Sequence, residues 1–311
     1  MRLTRLTPLA LLLGMIALAG CSKNSPTAAR GTDPGAVPSM DQALVTTTIN
    51  SESALVDDGL ADSPIETQFD AGGGLTAIRP LAWWRNITSV KRDFEFTFSD
   101  PDTNGRPTMA EVKVLKTLTG TLNIRGLGEI TGSNPPDSAL IVVRKPLEDH
   151  WERHLELKRT RLEGEDGEAI WRIVAASGVQ VTAKNATTEI KSLRIQDGAL
   201  DTTITDPLAL QRLRRVLRFQ PETMVTLTVT TGRNDDVVFM HHGEGRFRLH
   251  NNGDDTYTGT WRAGVFMEGI HHFGVDAVSH GTLYDDVAPY DSQRWFFPFT
   301  FEPMVLAETL P

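Results

Sequence analysis

From about residue 78 onward, apolar and polar residues alternate with a period of two, and this sets the fold class. Phe94, Phe96 and Phe98 alternate with Glu95, Thr97 and Ser99; Val225, Leu227 and Val229 alternate with Thr226, Thr228 and Thr230. Successive side chains of a strand point to opposite faces, so this is the pattern of half-buried strands. Val112 and Val114 flank Lys113, and Leu118, Leu122 and Ile124 continue through glycine-punctuated sequence. Ala139 to Val143 is a continuous apolar run of buried-strand type, closed by Pro146, and Ile170–Ala176, Val179–Thr182 and Ile190–Ile195 add further strands. Turn residues separate the runs. The sequence therefore predicts a mainly β, antiparallel fold, and 40% hydrophobic residues in a chain of 311 suffice for real cores.

Residues 147–162 read as a strand in which Trp151, Leu155 and Leu157 oppose His150, Glu152, His154, Glu156 and Lys158. Asp206–Phe219 breaks the period, mixing leucines with four arginines. It reads as a linker segment packing on both neighbours, with a basic membrane-surface helix as the alternative. After it, Val237–Met240, Phe247, Leu249, Tyr257, Trp261, Phe273, Val275 and Trp295–Phe301 mark further strands, with a hairpin turn at Asn251–Asp255. Short strands around an internal tryptophan, and the turn-then-strand run Asp254–Trp261, resemble a bacterial immunoglobulin-like or fibronectin-like β-sandwich over roughly 220–305. The expected organisation is an antiparallel β domain over 78–205, the linker at 206–219 and an Ig-like sandwich at 220–311.

The N-terminus carries an address. Arg2 and Arg5, the apolar run Leu9–Leu18 and the small residues Ala19 and Gly20 form a signal peptide over 1–20, too short to span a bilayer. Leu18-Ala19-Gly20-Cys21 resembles a bacterial lipobox, and Cys21 is the chain's one cysteine. The resemblance implies diacylglycerol on the Cys21 sulfur, cleavage before it, and acylation of the new amino group. Several acyl chains anchor stably where one is marginal. Ser22, in place of Asp, resembles the outer-membrane sorting pattern of Gram-negative lipoproteins. Residues 21–77 then read as lipid anchor and flexible tether, rich in Ser, Thr, Pro and Gly, with 41–56 a short helix at most and folded structure starting near Ile78.

Composition excludes several functions. A formal charge of −9, which drops by two more when Arg2 and Arg5 leave with the signal, argues against nucleic-acid binding. A single cysteine excludes a disulfide framework and a multi-cysteine zinc site. There is no G-x-S-x-G elbow, Walker loop or dinucleotide fingerprint, although glycosidase chemistry needs only two carboxylates placed by the fold.

Two patterns point toward metals. Asp100, Asp102, Asn104, Gly105 and Glu111 fit the spacing of an EF-hand-type calcium loop, with Asp100, Asp102, Asn104 and Glu111 as candidate calcium ligands. Its strand-like flanks and Pro107 depart from that family and resemble the calcium loops between strands of extracellular proteins. The plain alternative is a polar turn. Six histidines (His241, His242, His250, His271, His272 and His280) fall within forty residues, but parity sends the two rings of each HH pair to opposite faces.

The function expected from these readings is a lipid-anchored cell-envelope protein, on the outer membrane of a Gram-negative bacterium, with a non-catalytic binding or structural role. No cofactor is required by this reading, calcium being the one candidate. Its partners would be the membrane, through the lipid, and an envelope protein or glycan. A calcium-stabilised surface module and an envelope hydrolase are the alternatives.

Overall fold

A computed structural model describes residues 39–57, 61, 66–68, 77–130, 137–161, 169–198, 200–243, 245–264 and 268–301. The signal peptide, Cys21 and the tether up to residue 38 lie outside the described residues. Helices α1 (Met40–Ser51) and α2 (Ser53–Val56) and the short strand β1 (Thr67–Gln68) precede three very long strands, β2 (Ile78–Pro101), β3 (Pro107–Ile130) and β4 (Asp137–Arg161). Next come β5 (Ala169–Ala183), β6 (Ile190–Asp197) and β7 (Leu200–Ile204). The arginine-rich segment forms β8 (Gln211–Arg212), a single 3-10 turn and β9 (Leu217–Phe219). The C-terminal part supplies β10 (Met224–Thr231), β11 (Val237–His242), β12 (Gly245–Arg248), β13 (His250–Asn251), β14 (Thr256–Arg262), β15 (His271–Val278), α3 (His280–Tyr284) and β16 (Ser292–Phe301). The fold is mainly β, as the period of two predicts. Among the described residues no helix is long and apolar enough to cross a membrane.

Runs that the sequence separates become single strands. Ala139–Val143 and residues 147–161 join through Pro146 into β4, and the glycine-punctuated stretch 107–130 is all β3. Gly120 shows why the glycines do not break it. Opposite Gly120 the β2–β3 register slips between Ile87 and Ser89, and a Cβ at Gly120 would lie 2.0 Å from the Asn86 carbonyl oxygen. The glycine admits a bulge that bends the pair.

An eleven-stranded sheet runs β1-β2-β3-β4-β5-β16-β15-β11-β12, with β8 on β5 and β9 parallel to β16. A five-stranded sheet runs β13-β14-β10-β6-β7. One core lies between the two sheets: Leu193, Ile195, Val225, Leu227, Val229, Tyr257 and Trp261 on one side meet Val238, Met240, Phe273, Val275, Trp295 and Phe297 on the other. β11 and β16 are buried on both faces, so Val237–Met240 and Trp295–Phe297 carry apolar residues at both parities.

Two boundaries differ from expectation. Segment 206–219 does not separate two sheets, because β6, with β7 paired on its other side, pairs with β10 across it and β16 pairs back onto β5. The apolar face of β6 finds its partner only in the C-terminal half, so the two-sheet core draws on residues 190–301, a wider span than an Ig-like module at 220–311. The 40–56 stretch is not tether: α1 places Val45 and Ile49, both fully buried, in the core of the long sheet, and Thr48 Oγ1 donates to the Trp171 carbonyl at 3.3 Å. That sheet end has apolar residues to cover, and the three turns of α1 cover them.

The eleven-stranded sheet curls upon itself. β2 and β15 are five strand steps apart, about 24 Å if the sheet were flat, yet Arg85 on β2 and Asp276 on β15 are hydrogen-bonded. The edge strands also approach, since Arg246 Nη1 on β12 donates to Thr67 Oγ1 on β1 at 2.8 Å. The inner face is thereby sealed, and side chains fill it as in small barrels.

Candidate functional site: a buried ionic layer

The inner face of the curl is stratified. One apolar cluster, with Val45, Ile49, Val112, Trp151, Leu155 and Phe296, lies toward α1; a second, with Trp83, Leu122, Leu147, Phe239, Val278 and Leu283, lies toward α3. Between them five strands, β2, β4, β11, β15 and β16, each place a polar residue one pleat repeat from an apolar neighbour. Arg85 follows Trp83, Asp149 sits between Leu147 and Trp151, Asp276 precedes Val278, His241 follows Phe239, and Arg294 precedes Phe296. Parity puts all five on the inner face, and all five are completely buried.

These groups form one network. The Arg85 guanidinium donates Nη1 to Asp276 Oδ2 at 2.6 Å and Nη2 to Oδ1 at 3.1 Å, the bidentate geometry that a planar fork favours. Arg85 Nε donates to Tyr290 Oη at 3.0 Å, and that hydroxyl donates to Asp149 Oδ2 at 3.1 Å. Arg294 Nη2 pairs with the same Asp149 oxygen and its Nη1 donates to the Ala61 carbonyl at 2.6 Å. Arg246 Nε donates to His241 Nε2, which fixes a neutral imidazole with its proton on Nδ1; Nε2 itself lies 3.7 Å from Asp276 Oδ2. Three arginines face two carboxylates. The Trp83 ring lies between two of the guanidiniums, with Arg246 Cζ 4.1 Å and Arg85 Cζ 4.9 Å from its centroid, and an indole face attracts both cations.

Burial and pairing set the charges. Burial alone would raise the Asp276 carboxyl; the Arg85 charge and its paired hydrogen bonds hold it well below the usual carboxylate range. Burial lowers His241 to about 3, reinforced by the Arg246 charge. It also lowers Arg246 to about 9, with Arg85 adding repulsion. His241, Asp276 and Asp149 are the residue types of general acid–base chemistry, but here they are sealed and committed to guanidinium partners. The arrangement holds a closed sheet together and offers no surface to a substrate.

The candidate calcium loop has a different task. Asp102 Oδ1 accepts from the Asn104 and Arg106 backbone N–H groups, both at 2.9 Å, and Oδ2 pairs with Arg159 on β4. The arginine occupies the charge-compensating position that the motif reserves for a cation. Glu111 lies within β3, opposite Thr97 and Glu156, and Asp100 takes a left-handed φ of 55° at the end of β2. Asp100, Asp102, Asn104 and Glu111 are not brought together as a ligand shell, and among the described residues no three His, Cys, Asp or Glu side chains converge as a metal site.

The histidines are likewise dispersed. His241 points into the ionic layer, whereas His242 stacks between Phe247 and Trp261. His271 packs against Phe299 and Phe301, and His280 stacks on Tyr284. Ser279 is no nucleophile poised by its neighbour: its Oγ accepts from Thr282 N at 3.2 Å as the N-cap of α3. Comparison of the chain with protein-family models, with curated proteins and with solved structures finds no match.

Proposed function

We propose that this protein is a lipid-anchored cell-envelope protein that binds or scaffolds and does not transform a substrate. Leu18-Ala19-Gly20-Cys21, with the chain's single cysteine at the position that accepts lipid, is the observation that carries the reading. The outer face of the long strands supports it. Glu111, Lys113 and Lys158 are exposed there, and His150 is exposed farther along the same face of β4, a face suited to water, since charges facing lipid are costly. Attachment then falls to the acyl chains, and Ser22 points to the outer membrane. The burial of His241, Asp149 and Asp276 supports a role that uses the surface.

The test is metabolic labelling with an alkyne fatty acid in the bacterial host. Wild type should be labelled and fractionate with membranes; Cys21→Ser should be unlabelled and either released or retained as the unprocessed precursor. A labelled Cys21→Ser protein, or an unlabelled wild type found in the soluble fraction, would refute the anchor.

A further inference from the structure

Four arginines, Arg212, Arg214, Arg215 and Arg218, fall within seven residues of a chain whose formal charge is −9. Arg212 lies 3.9 Å from Glu156, whereas no ion pair among the described residues neutralises the other three. All three are exposed. Like charges so close repel one another unless an anion lies between them.

The segment bearing them is fixed at both ends. β8 pairs Arg212 with Ala175 of β5, and β9 pairs Leu217 with Phe299 of β16 while Phe219 is buried in the core. The 3-10 turn between them presents Arg214 and Arg215 over β7. The result is an open cleft of about 530 Å³, within the size range of small-ligand sites, walled by Arg214, Arg215 and Arg218. Leu200, Ile204 and Leu217 give it an apolar floor continuous with the core between the sheets.

A second wall is polar. Asp197, only 3% exposed, lines the cleft and accepts from the Gln220 backbone N–H at 3.0 Å through Oδ2; its Oδ1 has no hydrogen-bond partner. A buried carboxylate oxygen left without a donor is costly. Thr202 and Gln211 line the same wall.

Each wall selects part of a ligand. Guanidinium forks match phosphate or carboxylate oxygens. Thr202 and Gln211 call for hydroxyl groups, and the apolar floor suits the C–H face of a ring. A bare anion leaves the floor, Thr202 and Gln211 unused, a neutral sugar leaves three cations unused, and a fatty acid brings no hydroxyl for Thr202 and Gln211. We infer that this cleft binds an anionic saccharide, a sugar phosphate or a uronate. The inference names the ligand class of the binding role proposed above and rests on that reading.

Calorimetric titration of the full-length protein in detergent tests it, with glucose 1-phosphate, glucuronate, glucose and inorganic phosphate as probes. One of the two charged sugars should bind saturably and at least tenfold more tightly than glucose or inorganic phosphate, and which one identifies the anionic group. The double variant Arg214→Gln/Arg215→Gln should weaken that binding at least tenfold with its melting temperature unchanged, whereas Arg233→Gln, outside the cleft, should bind as wild type. No saturable binding of either charged sugar, phosphate bound as tightly as the sugars, or undiminished binding by the double variant would overturn the inference. Fatty-acid labelling of Cys21 is read on the same preparation, so labelled protein that binds no sugar removes the ligand class and leaves the anchor standing.

Discussion

Arg85 and Asp276, 191 residues apart in sequence and five strand steps apart in the sheet, meet as a bidentate pair with neither side chain exposed. Their contact is possible only because the long sheet curls, and it holds the curl at mid-height between two apolar clusters. Hydrophobic burial drives association but does not by itself fix every contact across the curl. A charged pair that must find its partner does more, because each misalignment leaves an ion in the interior without one. The pair thereby adds, to the register that apolar patterning sets, a constraint on which residue of β2 faces which of β15 across the curl.

Removing one member of the pair should therefore cost far more than removing both. Asp276→Ala leaves the Arg85 guanidinium buried and unpaired, and urea unfolding should show a loss of about 3–5 kcal/mol. The double variant Arg85→Met/Asp276→Leu replaces the ions by apolar groups of similar size and should recover most of that loss. A double variant as unstable as the sum of the singles would show that the pair does not act as a unit.

The same layer predicts an acid-sensitive fold. His241 is depressed from 6.5 to about 3 in the folded state, burial being the larger cause and Arg246 the next. Below pH 6.5 the unfolded chain binds a proton that the folded chain refuses, so stability falls as pH drops through that window, by about 1.4 kcal/mol per unit once well below 6.5. Asp236 works in the opposite sense: burial raises it to about 6, so its contribution declines as pH rises from 3.8 to 6. His241→Gln keeps an acceptor for Arg246 and removes the titration. Subtracting its urea-denaturation profile from wild type should isolate a slope between pH 6.5 and 5 that is absent in the variant; parallel profiles would contradict a neutral, buried His241.

At the Asp100–Glu111 turn, the competition between motif and local geometry decides the expected result. Asp102 is held below the ordinary carboxylate range first by the Arg106 backbone N–H, then by Asn104 and Arg159. Asp102→Ala should lower the melting temperature, and by the same amount in millimolar calcium as in EGTA, because the lost partners are an arginine and two backbone amides. A calcium-dependent rise in wild-type melting that Asp102→Ala abolishes would restore the metal reading.

Much of this was legible in the period of two. Phe94–Phe98, Val225–Val229 and Trp295–Phe301 all fall in strands at the expected parity, and the turn at Asn251–Asp255 carries left-handed Gly253 and Asp255. The ionic layer also left a trace: Asp149 shares the parity of Trp151 and Leu155, and a charge on an apolar face is the signature of a buried pair. Its partners were not legible, because which strand of a curled sheet faces which depends on closure, which no local window encodes. The same limit hid the exchange of strands across 206–219. The arginines there were visible as a basic run, but their cleft depends on β7 lying beneath them.

Helix α1 gives the last expectation, since it turns an apparent tether into part of the core. Val45 and Ile49 are fully buried against the cluster around Trp151 and Phe296. Ser39 and Gln42 form a reciprocal capping box at the helix start, and Asp41 pairs with Arg106 at 2.8 Å. The helix thus closes the end of the curl opposite α3. Ile49→Ala removes three carbons from a closed site and should destabilise by about 2–4 kcal/mol, whereas Thr47→Ala on the exposed face should change stability by no more than about 0.5 kcal/mol. Limited proteolysis of wild type should cut first on the N-terminal side of Ser39, leaving 40–56 attached to the protected fragment. In Ile49→Ala the first cuts should move into that stretch as the helix detaches more often. Early cleavage within 40–56 in wild type, or an Ile49→Ala protein as stable as Thr47→Ala, would mean that the helix rests on the core without sealing it.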